Sequence, residues 1–268
     1  MRYTRSLLKN LIIFMGIHIK SKEEIQIMRE GGKILADLLS LLCNLAKPGV
    51  STLELDIVAE KFIKDHNATP SFKGYHGFPY SLCTAINDEV VHTFPSTRKL
   101  ESGQILTIDA GVFYKGFHTD SASTITIGSV PRETGEFVDK VKEVLYGAIR
   151  LVKPGVRIGD ISHFIESEIK SSGYFIIKEL IGHGIGHELH EEPQVPNDGY
   201  KGYGAELLAG MTICIEPIVG FSTGRIKTMS DGWNIKTVDG GLACQHEHTL
   251  LVTDSGVEIL TLREEENF

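Results

Sequence analysis

The sequence LAKPGV at residues 45–50 returns as LVKPGV at residues 151–156, and this repeat decides the fold. Two further matches keep almost the same offset, at 107 residues: His76-Gly77 with His183-Gly184, and Ile108-Asp109 with Ile215-Glu216. Matches that stay in one register along the chain indicate an internal duplication. We therefore expect two similar halves, about 15–130 and 131–268, related by a pseudo-two-fold axis.

The hydrophobic pattern changes from helix to strand in the same way in each half. Apolar residues recur at helical spacing from Ile25 to Leu42, and the capping-box pair Ser51 and Glu54 starts a second helix that runs to about residue 67. Strand-like alternation follows over 80–127. The second half repeats the order, with helices over 137–149 and 158–169 and strands over 175–262. This order predicts an α+β fold of two α-α-β units.

Composition excludes some classes of function. The chain has 268 residues, 41% of them hydrophobic, and a formal net charge of -8, so no basic patch suggests nucleic-acid binding. Its four cysteines show no C-x-x-C spacing, which argues against a zinc knuckle or a disulfide framework. Reduced thiols in a cytoplasmic enzyme fit this pattern.

The first fourteen residues, MRYTRSLLKNLIIF, are basic and then apolar. They could be a signal peptide, a membrane anchor, or an extra segment from an upstream start codon. The apolar stretch is too short to span a bilayer, and no small-residue cleavage site follows it. We favour Met15 as the functional start, which leaves 15–268 as one catalytic domain with no expected membrane association.

Four acidic residues lie in apolar, strand-like surroundings: Asp109, Asp120, Glu216 and Glu247. A single acid of this kind would most simply be solvated at a strand edge or paired with a distant base. Four of them, together with His183 in a Gly-flanked IGHGIG loop, favour a shared metal site, because a buried carboxylate needs a cation or a proton. The donor set is rich in oxygen, unlike a structural zinc site, and four negative charges balance two divalent ions.

Six motifs together resemble the type I methionine aminopeptidases: GYHGFPYSLCTAINDEVVHTFP, LTIDAG, GFHTD, GHGIGHELHEEPQV, MTICIEP and DGWNIKT…QHEHTLLVT. The resemblance runs from about residue 17 to residue 262. It implies the pita-bread fold, in which the two halves surround a curved antiparallel sheet. It also implies that Asp120, His183 and Glu216 hold one metal ion and Asp109 the other, with Glu247 as a bridge.

The resemblance further implies a metalloaminopeptidase that removes the initiator methionine when the second residue is small. A metal-bridging water would attack the first peptide bond, with Glu216 as general base. His92 would assist proton transfer, and His190 would steady the carbonyl oxygen. The ions would be two of Fe(II), Mn(II), Co(II) or Zn(II). The implied enzyme is a cytoplasmic monomer that acts on nascent polypeptide amino termini near the ribosome.

By the same resemblance, a pocket for the methionine side chain would be lined by Phe72, Tyr75, Phe78, Cys83, Leu189 and Trp233, with His76 nearby. Ordinary core packing is the alternative for all six lining residues, and it is the favoured one for Phe72 and Leu189.

The remaining histidines are given lesser roles. His18, His66 and His163 are expected to be solvated. His118 is a possible partner behind the metal ligands, and His246 and His248 should point away from the ligand face. His187 departs from the family pattern and receives no role.

Three alternatives remain. Proline-specific peptidases of the same fold generally carry an extra amino-terminal domain, for which this chain has no room. Type II methionine aminopeptidases carry an insertion, but here His183 and Glu216 are only 33 residues apart. A non-catalytic binding module on this fold would typically have lost metal ligands.

Overall fold

The structure is a computed structural model that describes residues 16–268. The expected extra segment at 1–14 and the expected start at Met15 lie outside the described residues. Within residues 16–268, none of the helices is both long enough and apolar enough to cross a membrane.

Each half begins with two helices and continues with strands, which confirms the predicted α+β class. The first half contains α1 (Lys22–Leu45), α2 (Thr52–Asp65), β1 (Thr69–Pro70), a 3-10 turn (Tyr75–Gly77), β2 (Leu82–Ile86), β3 (Glu89–Val91), β4 (Gln104–Tyr114) and β5 (Phe117–Ile127). The second half contains α3 (Arg132–Ile149), α4 (Ile158–Ser171), β6 (Phe175–Ile176), β7 (Gly182–Gly184), β8 (Glu191–Val195), β9 (Thr212–Ile215), β10 (Ile218–Gly220), β11 (Ile226–Thr228), β12 (Ile235–Thr237), β13 (Ala243–Gln245), β14 (His248–Val252) and β15 (Val257–Ile259).

Local sequence sets where the first two helices start. Ser21 caps α1 by accepting a hydrogen bond from the Glu24 amide, and the Glu24 carboxylate accepts one from the Ser21 amide in return. Ser51 and Glu54 form the same reciprocal pair at α2, as their spacing predicts. Two otherwise unpaired amides are thereby satisfied at each helix start.

The strands pair antiparallel throughout the described ladders. In the first half, β5 pairs with the full length of β4, while β2 and β1 pair with its other edge. In the second half the largest sheet has the order β15-β14-β9-β7-β8. Two three-stranded sheets, β13-β10-β6 and β11-β12-β3, complete the fold, and the second of them joins strands from both halves.

Each half has its own apolar core. The helices α1 and α2 bury Leu35, Leu39 and Ile63 against the β2–β4 sheet. In the second half, α3 and α4 pack against β9 and β14 in the same way. The helices therefore cover the outside of the sheets and leave the inner sheet faces to form the centre of the molecule.

The two halves join along β5. The Glu247 amide donates to the Ala122 carbonyl (3.0 Å), and the Ser121 hydroxyl donates to the Glu247 carbonyl (2.7 Å). The Thr249 hydroxyl donates to the Asp120 carbonyl (2.7 Å) and accepts from the Asp120 amide (2.9 Å). These bonds fix acidic residues of both halves at one seam.

Candidate metal centre

A cavity of about 450 Å³ opens at the seam between the halves. All the residues predicted to bind metal or substrate line it: Asp109, Asp120, His183, Glu216, Glu247, His92, His190, His76, Phe72, Tyr75, Phe78, Cys83, Leu189 and Trp233. Residues more than a hundred positions apart in the chain thus line one cavity.

The β4–β5 hairpin places Asp109 and Asp120 on one face of the sheet. Asp120 pairs directly with Gly111, two residues beyond Asp109, so the two carboxylates are diagonal neighbours. The turn between the strands uses Lys115 (φ 47°) and Gly116 (φ 93°), both in the left-handed region that a tight hairpin needs. The spacing of eleven residues is therefore a consequence of a two-residue turn.

Glu216 and Glu247 lie just beyond the paired ends of two strands. Ile215 of β9 is paired with His248 of β14, so the next residue outward on each strand brings these glutamates side by side. Both glutamates were predicted to lie within strands. This prediction was wrong by one residue, because β9 ends at Ile215 and β14 begins at His248. The break in pairing frees their side chains to turn into the cavity.

His183 is the middle residue of the short strand β7, not part of a loop as expected. A Cβ atom at Gly182 would lie 2.4 Å from the Cys214 carbonyl, and one at Gly184 would lie 2.2 Å from the Glu192 carbonyl. Both flanking glycines are therefore needed for close strand packing. The His183 Nδ1–H donates to the Gly184 carbonyl (2.8 Å), which leaves the Nε2 lone pair free, 3.7 Å from Glu216 Oε1.

Burial dominates the electrostatics of the four acids. It raises the pKa of Asp109 to about 7, against a hydrogen bond with Asp120 that lowers it. Burial also raises the pKa of Asp120, Glu216 and Glu247 well above the ordinary range, and the negative charge of neighbouring acids adds to the effect. Burial similarly lowers the pKa of His183 to about 4, so its imidazole is neutral. Without a cation, this cluster would hold protons at neutral pH.

The donor atoms fit a divalent metal ion. Asp109, Asp120 and Glu247 place one oxygen each within 4.8 Å of one another, and each also has a buried oxygen without a hydrogen-bond partner among the described residues. His183 and Glu247 belong to a second such group. Carboxylate oxygens and one neutral imidazole are suitable ligands for Mn, Fe, Co or Zn. Across residues 16–268, no lysine or arginine lines the cavity to neutralise the acids instead.

Two further histidines face the same space. His92 follows β3 with a left-handed backbone (φ 58°), an uncommon conformation for a residue other than glycine. His190 packs against His183 with ring centroids 4.4 Å apart, and its Nδ1 lies 2.8 Å from the Tyr75 hydroxyl. Burial lowers the pKa of both His92 and His190, with nearby histidines adding to the effect at His190.

One side of the cavity is aromatic and apolar. Phe78 packs edge to face on Trp233 with ring centroids 5.2 Å apart, and Cys83 is buried beside them. Phe72 and Leu189 belong to the same apolar cluster, so core packing and cavity lining are not alternatives for these residues. This wall can enclose an uncharged, flexible side chain.

The sequence pattern of metallopeptidase family M24 matches residues 26–254. The chain belongs to metallopeptidase family M24. Within the family it groups with the methionine aminopeptidases: it is 43% identical to a methionine aminopeptidase of Clostridium perfringens, over 92% of this chain and 99% of that one. Membership of M24 makes it a metal-dependent hydrolase that binds divalent metal.

Solved structures of M24 proteins agree with this grouping. A methionine aminopeptidase of Thermotoga maritima has a TM-score of 0.91 and 40% identity, with 92% of this chain and all of that one covered. A prolidase of Pyrococcus furiosus has a TM-score of 0.76 and 25% identity, and the match covers only 68% of its length. The shared pita-bread fold is thus shown, and the proline-specific alternative is not favoured.

Two histidines of this M24 peptidase, His118 and His18, depart from the sequence expectation. His118 bonds to Ser71 (2.9 Å) rather than to a metal-binding acid. His18, expected to be solvated, is only partly exposed and contacts Glu24. The other five are arranged as follows: His66 ends α2, His163 lies on α4, His187 contacts Glu24 and Gly116, His246 is buried, and His248 is buried against Tyr146 and Glu266.

Sequence reasoning missed two cavity neighbours. The Gln245 amide donates to Glu216 Oε2 (3.1 Å), which holds that carboxylate in place. Cys214, interpreted only as a buried apolar residue, has its sulfur within 4.8 Å of candidate ligand atoms of His183 and Glu247. Gln245 stands two positions before Glu247 in the quoted motif, and this spacing was the available signal.

Proposed function

We propose that this M24 peptidase removes the initiator methionine from proteins whose second residue is small. The observation that carries the proposal is the convergence of four acids and His183 beside an apolar wall in one cavity of about 450 Å³. A hydrolytic centre and a specificity pocket in one cavity are what cleavage after a single amino-terminal residue requires.

Two divalent ions are proposed to bind at the acid cluster. Asp120, His183 and Glu216 would hold one ion and Asp109 the other, with Glu247 shared between them. When bound, such ions would polarise the first peptide carbonyl and make a water molecule nucleophilic at neutral pH. Four carboxylates match the charge of two divalent ions, and the same match explains why the acids tolerate burial.

Glu216 is proposed as the general base. Gln245 donates a hydrogen bond to its Oε2 (3.1 Å), and its Oε1 lies 3.7 Å from His183 Nε2, so the carboxylate is oriented by both neighbours. A fixed carboxylate can accept the proton of the attacking water and pass it to the leaving amine. His92, whose ring centroid lies 6.4 Å from that of Trp233, is proposed to contact the reacting amide.

His190 is proposed to stabilise the carbonyl oxygen during attack. Its lowered pKa keeps the ring neutral, and a neutral ring carries one N–H. If the Tyr75 hydroxyl donates to Nδ1, the proton stays on Nε2, which can donate to the developing negative charge. Tyr75 would thus position His190 and select its tautomer.

The apolar wall is proposed to select methionine. Contacts with Tyr75, Phe78, Cys83 and Trp233, and with His76 at the edge, suit a polarizable thioether and refuse a charge. The preference for a small second residue rests on the resemblance to methionine aminopeptidases. The proposed substrates are nascent polypeptide amino termini near the ribosome, cut by a cytoplasmic monomer.

The proposal is tested by removing metal from the purified chain and adding back Fe(II), Mn(II), Co(II) or Zn(II) in turn. Release of free methionine from a Met-Ala peptide should be lost on stripping and return with at least one ion. Glu216→Gln should lower both bound metal and turnover, while His163→Gln, on the surface of α4, serves as the control. Turnover by the stripped chain, or none with any of the four ions, would contradict the proposal.

A further inference from the structure

A second cluster of metal-ligating side chains lies outside the cavity, where the chain before α1 meets the loop that follows His183. It consists of His18, Glu24 and His187, whose nearest ligand atoms all lie within 4.8 Å of one another. His18 precedes α1, Glu24 lies in its first turn, and His187 belongs to the loop between β7 and β8. Three separate segments thus meet at one point.

The distances in this cluster suit a shared cation. Nε2 of His18 lies 3.4 Å from Glu24 Oε2, and Nε2 of His187 lies 3.3 Å from Glu24 Oε1. Both separations exceed the usual N–H···O range of about 2.7–3.2 Å. Ligand atoms bound 2.0–2.2 Å from one tetrahedral ion lie about 3.3–3.6 Å apart. The two histidine–carboxylate separations fall in this range, each to a different oxygen of Glu24, and all three ligand atoms lie within 4.8 Å of one another.

Two of the three side chains, His187 and Glu24, are held in place by contacts outside the cluster. The His187 Nδ1 lies 3.3 Å from the Gly116 carbonyl, and donation there leaves the Nε2 lone pair facing Glu24. The ring also packs on Phe117, with centroids 4.3 Å apart. The Ser21 amide fixes the Glu24 carboxylate at 2.6 Å. Metal-binding histidines commonly have such a carbonyl partner on the other ring nitrogen.

The surrounding charge does not oppose a cation. Lys20 is the nearby positively charged residue, and its ammonium group forms a salt bridge with Glu191 (2.6 Å). The side chains of His18 and His187 are 39% and 49% exposed, so an ion can enter from water without any opening of the core. The cluster is therefore accessible as well as ordered.

We propose that His18, Glu24 and His187 form an accessory site for one divalent transition-metal ion, separate from the cavity. Two imidazoles and one carboxylate favour Zn²⁺, Ni²⁺ or Cu²⁺ over Mg²⁺ or Ca²⁺ and leave room for water as a further ligand. The ion ties the start of α1 to the loop between His183 and His190. Its role is to stabilise that contact, and the proposal does not depend on the proposed peptidase activity.

The test is a count of Zn²⁺ bound to the full chain at pH 7.5, by equilibrium dialysis and elemental analysis. The Asp109→Asn/Glu247→Gln double variant should weaken the cavity site and keep one equivalent of Zn²⁺. Adding His187→Gln or His18→Gln to it should remove that equivalent, while adding His163→Gln should not. In the wild-type chain, His187→Gln alone should lower the count by one.

Thermal unfolding gives a second readout in the same double variant. Zn²⁺ should raise its unfolding midpoint, and His187→Gln should abolish this shift without lowering the midpoint of the metal-free chain much, because the residue is half exposed. The proposal is overturned if His187→Gln and His18→Gln bind as much Zn²⁺ as their parent. It is also overturned if His163→Gln loses an equal amount, because surface imidazoles would then bind without a defined site.

Discussion

The hydroxyl of Tyr75 lies 2.8 Å from Nδ1 of His190, 115 residues further along the chain. Tyr75 belongs to the 3-10 turn of the first half and His190 to the loop before β8 of the second, so this contact crosses the seam. It links a residue of the apolar pocket to a histidine that faces the acid cluster.

Tyr75→Phe should lower kcat by about tenfold, or about 1.4 kcal/mol of transition-state stabilisation, with bound metal unchanged. The reason is that His190 loses the hydrogen bond that selects its tautomer, while the phenyl ring still lines the pocket. Steady-state kinetics with a Met-Ala peptide measure the effect. Tyr80→Phe, in the same apolar cluster but away from the cavity, is the matched control. An unchanged kcat would show that the Tyr75 hydroxyl does not position His190.

His92→Ala and His190→Ala should each lower kcat by about two orders of magnitude or more and leave the metal content near that of the wild type. Both rings line the cavity, and neither belongs to the clusters with metal-ligand geometry. Elemental analysis beside the kinetics separates the two effects. Loss of metal from either variant would make that histidine a ligand and would contradict its proposed role.

The metal-free chain should become less stable as pH rises from about 7 to 8. The folded state raises the pKa of Asp109 to about 7 and of the other three acids well above their ordinary values. An acid whose folded pKa is raised stabilises the fold only while it is protonated. Each carboxyl still protonated in this window therefore contributes a loss of about 1.4 kcal/mol per pH unit.

Urea unfolding of the EDTA-treated chain at both pH values measures this slope. The window lies above the unfolded pKa of histidine, so the buried histidines add little to it. Metal affinity should rise over the same range, because binding displaces protons from the acids. A metal-free chain that is more stable at pH 8 than at pH 7 would contradict a cluster of buried, protonated carboxyls.

Glu266→Gln should destabilise the fold by about 3 kcal/mol at pH 7. The Glu266 side chain is 1% exposed and pairs with Arg263, with His248 (3.4 Å) and with Lys142 (3.2 Å). Burial alone would raise its pKa, but the hydrogen bond with His248 and the positive charge of Arg263 hold the pKa of Glu266 well below the usual range. Its contribution is therefore present above pH 4.3 or so and is lost as pH falls further.

Denaturant unfolding of the wild type and Glu266→Gln across pH 3–7 checks both the size and the sign. The difference in free energy of unfolding should shrink toward the acid end. The exposed neighbour Glu265→Gln should change stability by no more than about 0.5 kcal/mol. An equal effect of the two substitutions would mean that the buried network contributes nothing specific.

Much of the fold and of the cavity could be predicted because their signals are local. The helices were predicted from the spacing of apolar residues and from a capping pair. The division into two halves was predicted from the LAKPGV repeat. The acids were found because a carboxylate in an apolar run is costly unless it is neutralised. The spacing of Asp109 and Asp120 then follows from a two-residue hairpin turn.

What the sequence left out depends on contacts between distant segments. Gln245 bonds to Glu216 only because β10 pairs with β13. His18 was expected to be solvated, since nothing near it predicts that His187 lies across from it after folding. Glu216 and Glu247 lie outside the ladder because β9 and β14 stop pairing at Ile215 and His248, and the position of that end depends on both strands. Contacts between distant segments follow no period in the sequence, and for Gln245 the only signal was its position two residues before Glu247.

The most direct test of the account is a panel of peptides offered to the metal-reconstituted chain, with free amino acid release followed over time. The panel contains Met-X peptides with X from Gly to Trp, the norleucine analogue of Met-Ala, and a Xaa-Pro peptide without methionine. An apolar pocket discriminates by only about 1–3 kcal/mol per methylene, so norleucine should be tolerated. The account predicts fast release from Met-Ala and negligible release from Met-Lys, Met-Trp and the Xaa-Pro peptide. Efficient cleavage of the Xaa-Pro peptide with slow release from Met-Ala would contradict it.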